Sequence, residues 1–402
     1  MKKNTNELGD CTLLGLAQIM RLAFQGDDLA QLTHHLLNRI QSDPQDSAAL
    51  LDLAVVLQLN AQPELALELQ AEGLKQQQHF RLSSNSASAS MRVLAIMGPG
   101  EVMANTPIEF LVERSEVALE LLYLGEGIPV PAQIPDHDIA FVAVCESDQS
   151  QSLLQQLDQV MQHWPRPFIN APASIARLSR SAVSQLLACS PGLVASNANR
   201  FTRAELSDLV TSDRFPLIAR PVNSHAGHGL AKLNDPSDLA KYLIAQSQAE
   251  FYIAPFIDYR GDDGWFRKYR VVVIDGQPFA AHMAISRNWM VHYLNADMLQ
   301  NEKNRAEEAR FMQTFDADFG LKHRAAFEEI DRRMQLAYYS MDCAETRDGR
   351  LLVFEVDSGA VVHSMDPVDI FPYKAPQMVR IFAAFEQMLN RRLQPSNSRR
   401  AA

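Results

Sequence analysis

The 402-residue chain is poor in residues that cross-link a protein or anchor it in a membrane. Because its cysteines are far apart and form no Cys-x-x-Cys pair, a zinc site or redox pair has no support and four reduced thiols are expected. No run of about 18 apolar residues occurs, so we expect no membrane span. A polar stretch follows Lys2 and Lys3 where a signal peptide would have its apolar segment. The chain is therefore predicted to be cytoplasmic. The cysteines are Cys11, Cys145, Cys189 and Cys343.

Clustered positive charge is also missing. The net charge is −11, and no run of five or more basic residues occurs. Because a nucleic-acid backbone is bound by clustered Lys and Arg, we expect no nucleic-acid partner. No Gly-x-Ser-x-Gly elbow is present, so a Ser-His-Asp hydrolase has no support. With 47% hydrophobic and 21% charged residues, the composition is that of a globular protein of two or three domains.

The first 82 residues have the apolar spacing of helices. Asn60-Ala61-Gln62-Pro63 separates two of these helices, and Ala54 and Ala66 lie on their packing faces. This pair resembles one tetratricopeptide-like hairpin, although a plain helical bundle fits as well, since only one repeat is visible. The small polar residues 83–90 indicate a flexible linker. We therefore predict an all-α domain over residues 1–82, which recruits a peptide or protein partner.

Strands and helices alternate after the linker. The pattern predicts a buried strand at Met91–Met97, a helix near 109–123, a strand at 139–144, a helix at 150–163 and a short strand at 167–170. Two Asp-Gly turns flanked by β-prone runs, Asp275-Gly276 and Asp348-Gly349, then predict antiparallel hairpins. The predicted domains are a small α/β domain over 91–175, an α+β domain over 176–395 and a disordered tail over 396–402.

Three carboxylates are predicted to meet on the second hairpin. If Asp348 and Gly349 are the two central turn residues, Asp342 lies opposite Glu355, and Asp357 points to the same face. Carboxylates this close destabilise one another unless a cation joins them. Mg²⁺, or Mn²⁺ in its place, prefers such oxygen ligands and completes its shell with phosphates. The alternative is an exposed acidic strand face without a ligand.

These residues resemble the ATP-grasp superfamily, in particular its glutathione synthetase and ribosomal-protein S6 modification enzymes. The resemblance covers roughly residues 91–390, and its motifs occur in the family's order. They are Phe168–Pro172, the helix beginning at Arg180, the strand ending in Arg220, the glycine loop Ser224–Gly229, the hinge Phe251–Asp258, the strand Lys268–Val273 and the acidic residues Asp342, Glu355 and Asp357.

The resemblance implies a role for each motif. ATP would contact the two arginines, the loop glycines and the hinge, at Arg180, Arg220, Gly227, Gly229, Ala254, Phe256 and Asp258. Asp342, Glu355 and Asp357 would hold Mg²⁺, and Arg270 would stabilise the transferring phosphoryl group. The chain departs from the family at four positions: Arg replaces Lys at 180 and 220, Lys268 stands where the family has an acid, and Asp357 stands where the family commonly has Asn.

Residues 282–293 are dense in His, Arg and aromatic side chains. They follow the strand of Arg270, on the side where the family binds its acceptors, so they predict a substrate pocket in which Arg287 grips a carboxylate. The alternative is a packed loop in which Arg287 pairs with an acidic residue such as Glu307 or Asp316. The predicted substrate-binding residues are Lys268, His282, Arg287, His292 and His363.

The predicted fold is therefore an α+β ATP-grasp fold, with a small α/β lobe and two α+β lobes, preceded by the all-α domain. The implied reaction uses ATP to convert a carboxylate to an acyl phosphate, which an amine or thiol then attacks, releasing ADP and phosphate. One alternative is an ATP-grasp kinase of a small molecule. Another is a non-catalytic nucleotide-binding scaffold. A homodimer is a further expectation.

Overall fold

A computed structural model describes residues 12–26, 29–83, 89–208, 214–224, 227–292 and 296–393. The predicted tail and most of the predicted linker lie outside these residues. The chain divides into two units. The first contains the described residues up to Ala176, Ser358–Met365 and those from Met378 onward, and the second contains Arg177–Asp357 and Asp366–Gln377. The domain boundaries at 82, 90, 175 and 395 stay predictions.

The first unit is built on a mixed six-stranded sheet of order β1-β2-β4-β3-β5-β6, with helices before and between its strands. Its elements are β1 (Thr12–Leu13), α1 (Leu16–Phe24), α2 (Leu29–Ser42), α3 (Ser47–Leu59), α4 (Pro63–Gln76), β2 (His79–Leu82), β3 (Met91–Met97), a 3₁₀ turn (Val102–Ala104), α5 (Ile108–Val112), β4 (Val117–Tyr123), β5 (Ile139–Val142), α6 (Gln151–Met161), β6 (Phe168–Ile169) and α7 (Pro172–Ile175).

The centre of this sheet is parallel, as the alternation of strand and helix predicts. β3 pairs in parallel with β4 and β5, and β5 pairs in parallel with β6. Every residue of β5 is buried. Unbroken apolar runs are typical of parallel strands, because both faces of such sheets are covered.

The predicted helical hairpin is formed by α3 and α4, which the predicted turn at Asn60–Gln62 connects. α3 ends at Leu59 and α4 begins at Pro63, where the missing N–H of proline is tolerated. Ala54 and Ala66 are both buried, so their small side chains allow the helices to pack closely. A tetratricopeptide-like repeat is not confirmed.

The segment before the linker is not all helical, which corrects the all-α prediction. β2 pairs with β4 of the central sheet, and β1 pairs with β2. The carboxylate of Glu109 accepts the Ala17 N–H at 2.9 Å, and the carboxylate of Asp52 accepts the N–H groups of Leu14 and Gly15 at 2.9 and 3.0 Å. These contacts argue against separate folding of the N-terminal helices.

The helix predicted near 109–123 is also wrong. Only Ile108–Val112 is helical, and Val117–Tyr123 is a strand whose seven residues are all buried. Because a short, continuously apolar run fits a buried strand as well as a buried helix, periodicity does not distinguish the two.

The second unit contains two antiparallel-rich sheets, of order β10-β9-β11-β8 and β13-β12-β14-β15-β7. Its elements are α8 (Arg180–Leu186), β7 (Leu193–Ala195), β8 (Asn199–Thr202), α9 (Arg203–Asp208), β9 (Leu217–Pro221), β10 (Ala231–Leu233), α10 (Pro236–Ala245), β11 (Glu250–Pro255), β12 (Phe266–Ile274), β13 (Gln277–Ser286), α11 (Glu302–Thr314), α12 (Phe319–Lys322), α13 (Arg324–Met334), β14 (Tyr338–Glu345) and β15 (Leu351–Asp357). The last helix among the described residues is α14 (Lys374–Leu393).

The hairpin β12–β13 has the predicted two-residue turn. Asp275 and Gly276 have φ angles of 47° and 77°, which suit a type I′ turn. A bulge between Arg270 and Val271 then shifts the register, so that Arg270 lies opposite His282. An unbroken ladder from the predicted Asp275-Gly276 turn would place Arg270 opposite Ala281, so the bulge corrects the partner of Arg270.

The hairpin β14–β15 has the predicted pairing of Asp342 with Glu355, although its turn differs from the predicted one. Its turn spans three residues, because the Thr346 N–H donates to the Arg350 carbonyl, and Gly349 has a φ of 79°. A bulge restores the register, since Asp342 pairs with Glu355 while Cys343 pairs with Val353. Asp342 therefore lies opposite Glu355 as predicted.

Candidate functional site

A cleft of about 910 Å³ lies within the second unit, and both sheets of that unit line it. Four charged lining residues interact electrostatically with one another and form what we call the charged end, and the rest of the lining, mainly apolar and aromatic, forms the apolar end. The apolar lining includes Tyr252, Ala254, Phe256, Ile257, Trp289, Met290, Leu352 and Phe354, and the charged lining is Arg180, Arg220, Lys268 and Glu355. Small-molecule sites combine a largely apolar surface with a few polar groups that fix orientation.

The two predicted phosphate-binding arginines lie together in this cleft. Arg180 is the first residue of α8, whose N-cap Ser179 accepts the N–H of Ala182. Arg220 belongs to β9 and donates to the Ser224 hydroxyl at 3.2 Å. Burial and the nearby Arg180 lower the pKa of Arg220 to about 10. Two cations placed this close favour an anion between them.

The two arginines differ in their partners. Arg180 forms an ion pair with Glu355. Within the part of the chain that the structure describes, Arg220 forms no ion pair with a carboxylate and instead contacts Ser224. Arg220 is therefore the cation of the cleft whose charge is least compensated. A bound phosphate would supply the missing negative charge.

Asp342 is buried behind the cleft and is held by two cations. Arg270 donates through Nε to Oδ1 at 2.8 Å and through Nη2 to Oδ2 at 3.0 Å. Lys268 Nζ lies 2.6 Å from Oδ2. Burial by itself raises the pKa of Asp342, but Arg270 and Lys268 more than offset it and hold the pKa well below the usual range. Asp342 is therefore ionised and fully paired.

Glu355 and Asp357 complete the predicted acidic set. Burial raises the pKa of Glu355, and the attraction of Arg180 reverses the shift, so the net pKa is lowered. Asp357 lies opposite Ser340 in the ladder and interacts electrostatically with Arg270. All three carboxylates thus lie near the same cations, as the hairpin predicts.

This arrangement does not fit a divalent metal as the sequence predicts. Among the described residues, no group of three or more His, Cys, Asp or Glu side chains could hold a metal ion. Both oxygens of Asp342 accept from Arg270 or Lys268, and Glu355 is paired with Arg180. A metal ion would have to displace these cations to reach the carboxylates.

The structure describes most of the predicted glycine loop and hinge, of which Gly227 and Gly229 are not among the cleft's lining residues. Gly227 and Gly229 have φ angles of 78° and 65°, where residues with a side chain are strained. A Cβ on Gly229 would lie 2.6 Å from Pro221 Cδ. Ala254 and Phe256 line the cleft. His225 and Ala226 of the predicted loop lie outside the described residues.

Asp258 is not among the cleft's lining residues. It pairs with Arg260 at 2.6 Å and lies 3.7 Å from Arg347, and the hydrogen bonds from Arg260 lower its pKa. Arg287 is exposed and stacks over Trp265, with its guanidinium carbon 4.8 Å from the ring centroid. Among the described residues, neither Asp258 nor Arg287 has a contact that supports its predicted role.

The three histidines fall in different places. Burial and then Arg270 lower the pKa of His282, which keeps its ring neutral. The pKa of His292 is lowered by burial and then by Lys268, so this residue lies near the charged end of the cleft. His363 belongs to the first unit, where Phe24 and Phe110 flank its ring at 5.5 and 6.3 Å.

Sequence reasoning missed several aromatic residues of the cleft. Phe354 lies at the bulge of β15 and lines the cleft. Tyr259 and Trp289 also line the cleft, and the Tyr259 hydroxyl donates to the Trp289 carbonyl at 2.7 Å. The density of aromatic residues in 282–293 was the available signal for Trp289.

Comparison with known proteins gives similar structures but no related sequence. No family model matches the chain, and no curated protein matches it. Similar structures include D-alanine–D-alanine ligase from Bacillus anthracis complexed with ATP (15% identity, TM-score 0.46, 76% of this chain and 99% of that chain). They also include VanG D-Ala:D-Ser ligase from Enterococcus faecalis (12%, 0.47, 74% and 99%). A third is an ATP-grasp RimK domain protein from Sphaerobacter thermophilus (14%, 0.44, 74% and 99%).

Identities and TM-scores of this size do not establish a family, so the function proposed below rests on the residues of the site. Within the described ranges, no helix is long and apolar enough to cross a membrane.

Proposed function

We propose that the chain is an ATP-dependent ligase of the ATP-grasp type. It activates a carboxylate as an acyl phosphate, joins it to an amine or thiol, and releases ADP and phosphate. The observation that carries the proposal is a single cleft with an apolar, aromatic end and a cationic end, at which Arg220 has no carboxylate partner among the described residues. A nucleotide has the same division into an apolar base and anionic phosphates.

The two ends of the cleft determine the orientation of the bound nucleotide. The base packs at the apolar end, against Ala254, Phe256 and the neighbouring aromatic side chains. The phosphates extend toward Arg180, Arg220 and Lys268. Arginine grips phosphate oxygens through two parallel hydrogen bonds, whereas lysine contributes a point charge. The backbone of the loop at Gly227 and Gly229 approaches the phosphates closely, because glycine has no side chain there.

The chemistry is an in-line phosphoryl transfer followed by acyl transfer. A carboxylate oxygen of the substrate forms a bond to the terminal phosphorus while the bond to ADP breaks. The amine or thiol then attacks the acyl carbon, and phosphate leaves. In such transfers the protein acts mainly through positioning and electrostatic stabilisation. The cations at the charged end hold the phosphates and stabilise the developing negative charge.

Arg270 has a positioning role in this scheme. It holds the buried Asp342 through two hydrogen bonds, and Asp342 in turn holds Lys268 at the edge of the cleft. Direct contact of Arg270 with the reacting phosphoryl group stays a prediction. So do substrate contacts by His282, Arg287, His292 and His363, the peptide or protein partner, and the homodimer.

A second candidate is a nucleotide-binding protein without turnover. The ion pairs of Asp342 and Glu355 favour it, because they occupy the carboxylates that the family resemblance assigns to catalysis. Binding is common to both candidates, whereas ADP formation is specific to the enzyme.

Calorimetry with ADP and with adenosine tests the nucleotide site. ADP is expected to bind more tightly than adenosine, and Arg220→Gln is expected to reduce the difference. Arg332→Gln, which changes an exposed arginine on α13, is the matched control and should bind ADP as the wild type does. Failure of the wild type to bind ADP would contradict the proposal.

A screen of carboxylates with amines or thiols then tests the reaction. A ligase forms ADP and free phosphate only when both acceptors are present. A kinase forms ADP with one acceptor and retains the phosphate on it. ADP binding without ADP formation across such pools would favour the second candidate.

A further inference from the structure

Lys268 occupies the position between a buried carboxylate and the cleft. Its Nζ lies 2.6 Å from Asp342 Oδ2, and its side chain lines the cleft together with Arg180 and Arg220. Asp342 is only 3% exposed and is not itself a lining residue. The ammonium group is therefore the part of this pair that a ligand in the cleft would meet.

The site carries more positive than negative charge without an added ion. Three carboxylates (Asp342, Glu355 and Asp357) lie among four cations (Arg180, Arg220, Lys268 and Arg270). One positive charge is in excess. A cluster of carboxylates alone repels phosphate and needs a divalent cation before an anion can approach. Here the chain supplies the positive charge through side chains that are already in contact with the carboxylates.

We propose that Lys268 is a resident cation of the nucleotide site. It neutralises Asp342 and faces the phosphates, so that nucleotide binding does not require a divalent metal ion. This inference rests on the proposed function, because it concerns the same cleft. It differs from the sequence prediction, in which Asp342, Glu355 and Asp357 bind Mg²⁺.

Arg270 does not perform the same task. It holds Asp342 from both oxygens and is not among the residues that line the cleft. Replacing Lys268 therefore removes the cation that faces the ligand while leaving Asp342 with one partner. This makes Lys268 a suitable position for a test, because the buried carboxylate is never left without a counter-charge.

The test is calorimetric titration of ADP into the full-length protein, once with excess Mg²⁺ and once with EDTA. For the wild type, the two dissociation constants are expected to agree within about threefold. Lys268→Glu reverses the charge at the cleft, so ADP should bind at least about tenfold more weakly in EDTA than in Mg²⁺. Lys268→Arg keeps the charge, so its dissociation constants in EDTA and in Mg²⁺ should still agree within about threefold, even if its affinity for ADP differs from that of the wild type.

Lys322→Gln is the control for loss of a lysine–carboxylate pair. Lys322 pairs with Glu345 in the same unit and is not among the cleft's lining residues. The ratio of the ADP dissociation constants of Lys322→Gln in EDTA and in Mg²⁺ should equal that of the wild type. Circular dichroism of each variant separates a change in binding from a loss of fold.

Two results would overturn the inference, and they differ in what they say about the proposed function. Binding of ADP by the wild type only in the presence of Mg²⁺ would remove the role of Lys268 and leave the nucleotide site standing. Absence of ADP binding under both conditions would remove the nucleotide site as well. If Lys268→Glu does not fold, Lys268→Met removes the charge without reversing it and should bind ADP more weakly in EDTA than in Mg²⁺. Equal dissociation constants under the two conditions in that variant would overturn the inference.

Discussion

Replacing Arg220 by glutamine separates binding of the phosphates from binding of the base. Arg220 forms no ion pair with a carboxylate in the described part of the chain, and its side chain contacts Ser224. The variant therefore leaves no buried carboxylate without a partner, and we expect the fold to be retained. Arg180 does not offer this advantage, because its removal would also release Glu355.

The size of the effect follows from the charge of the lost contact. Burial and the repulsion of Arg180 lower the pKa of Arg220 to about 10, so this cation is already desolvated before a ligand arrives. A hydrogen bond to a charged group contributes about 1.5–3 kcal/mol. Loss of the phosphate contact should therefore weaken ADP binding about 10- to 150-fold.

The comparison ligand is adenosine, which carries no phosphate. Its dissociation constant should change by less than about twofold in Arg220→Gln, because its contacts lie at the apolar end of the cleft. Calorimetry of both ligands on wild type and variant gives the answer. An equal loss of affinity for ADP and adenosine would mean that Arg220 supports the shape of the cleft and does not bind phosphate.

Three further predictions concern stability. Arg270→Met should lower the unfolding free energy by about 2–3 kcal/mol, less than the loss of a whole buried ion pair, because Lys268 still pairs with Asp342; an unchanged denaturant midpoint would contradict this. Burial raises the pKa of Asp52 to about 7, above the unfolded value of 3.8. The unfolding free energy should therefore fall by up to about 4 kcal/mol as the pH rises from about 4 to about 7. In thermal melts, Asp52→Asn should not show this decrease of stability with pH. A chain that starts at Met91 lacks β2, one of the two strands that pair with β4, and should be insoluble or unfold at a much lower temperature. If it melts at the temperature of the full chain, the N-terminal segment folds separately.

The acidic hairpin shows how far a sequence pattern reaches. Alternation along the two strands correctly placed Asp342 opposite Glu355, although the turn was taken as two residues and spans three. The error was compensated by a bulge at Phe354, for which neither composition nor alternation gives a signal. Bulges depend on packing and on neighbouring strands, so the local sequence does not predict them.

The first hairpin shows the opposite case. Its Asp275-Gly276 turn was predicted correctly, because both residues tolerate the positive φ angles that the turn requires. A bulge farther along the strands nevertheless moved Arg270 from Ala281 to His282. A correct turn therefore fixes the register only up to the first bulge.

The charged residues of the cleft were predictable by type but not by partner. The apolar strands that precede Arg220 and Glu355 indicated that both side chains lie at a site. Lys268 was noticed as a cation where an acid was expected, but its pairing with Asp342 joins two strands that are far apart in the sequence. Contacts of this kind become visible only when the order of strands in the sheet is known.

A crystal structure with a non-hydrolysable ATP analogue tests the proposed nucleotide site most directly. We expect the base to lie against Ala254 and Phe256, and the phosphates to lie within hydrogen-bond distance of Arg180, Arg220 and Lys268. A nucleotide bound with its phosphates away from Arg220, or bound outside this cleft, would contradict the proposal.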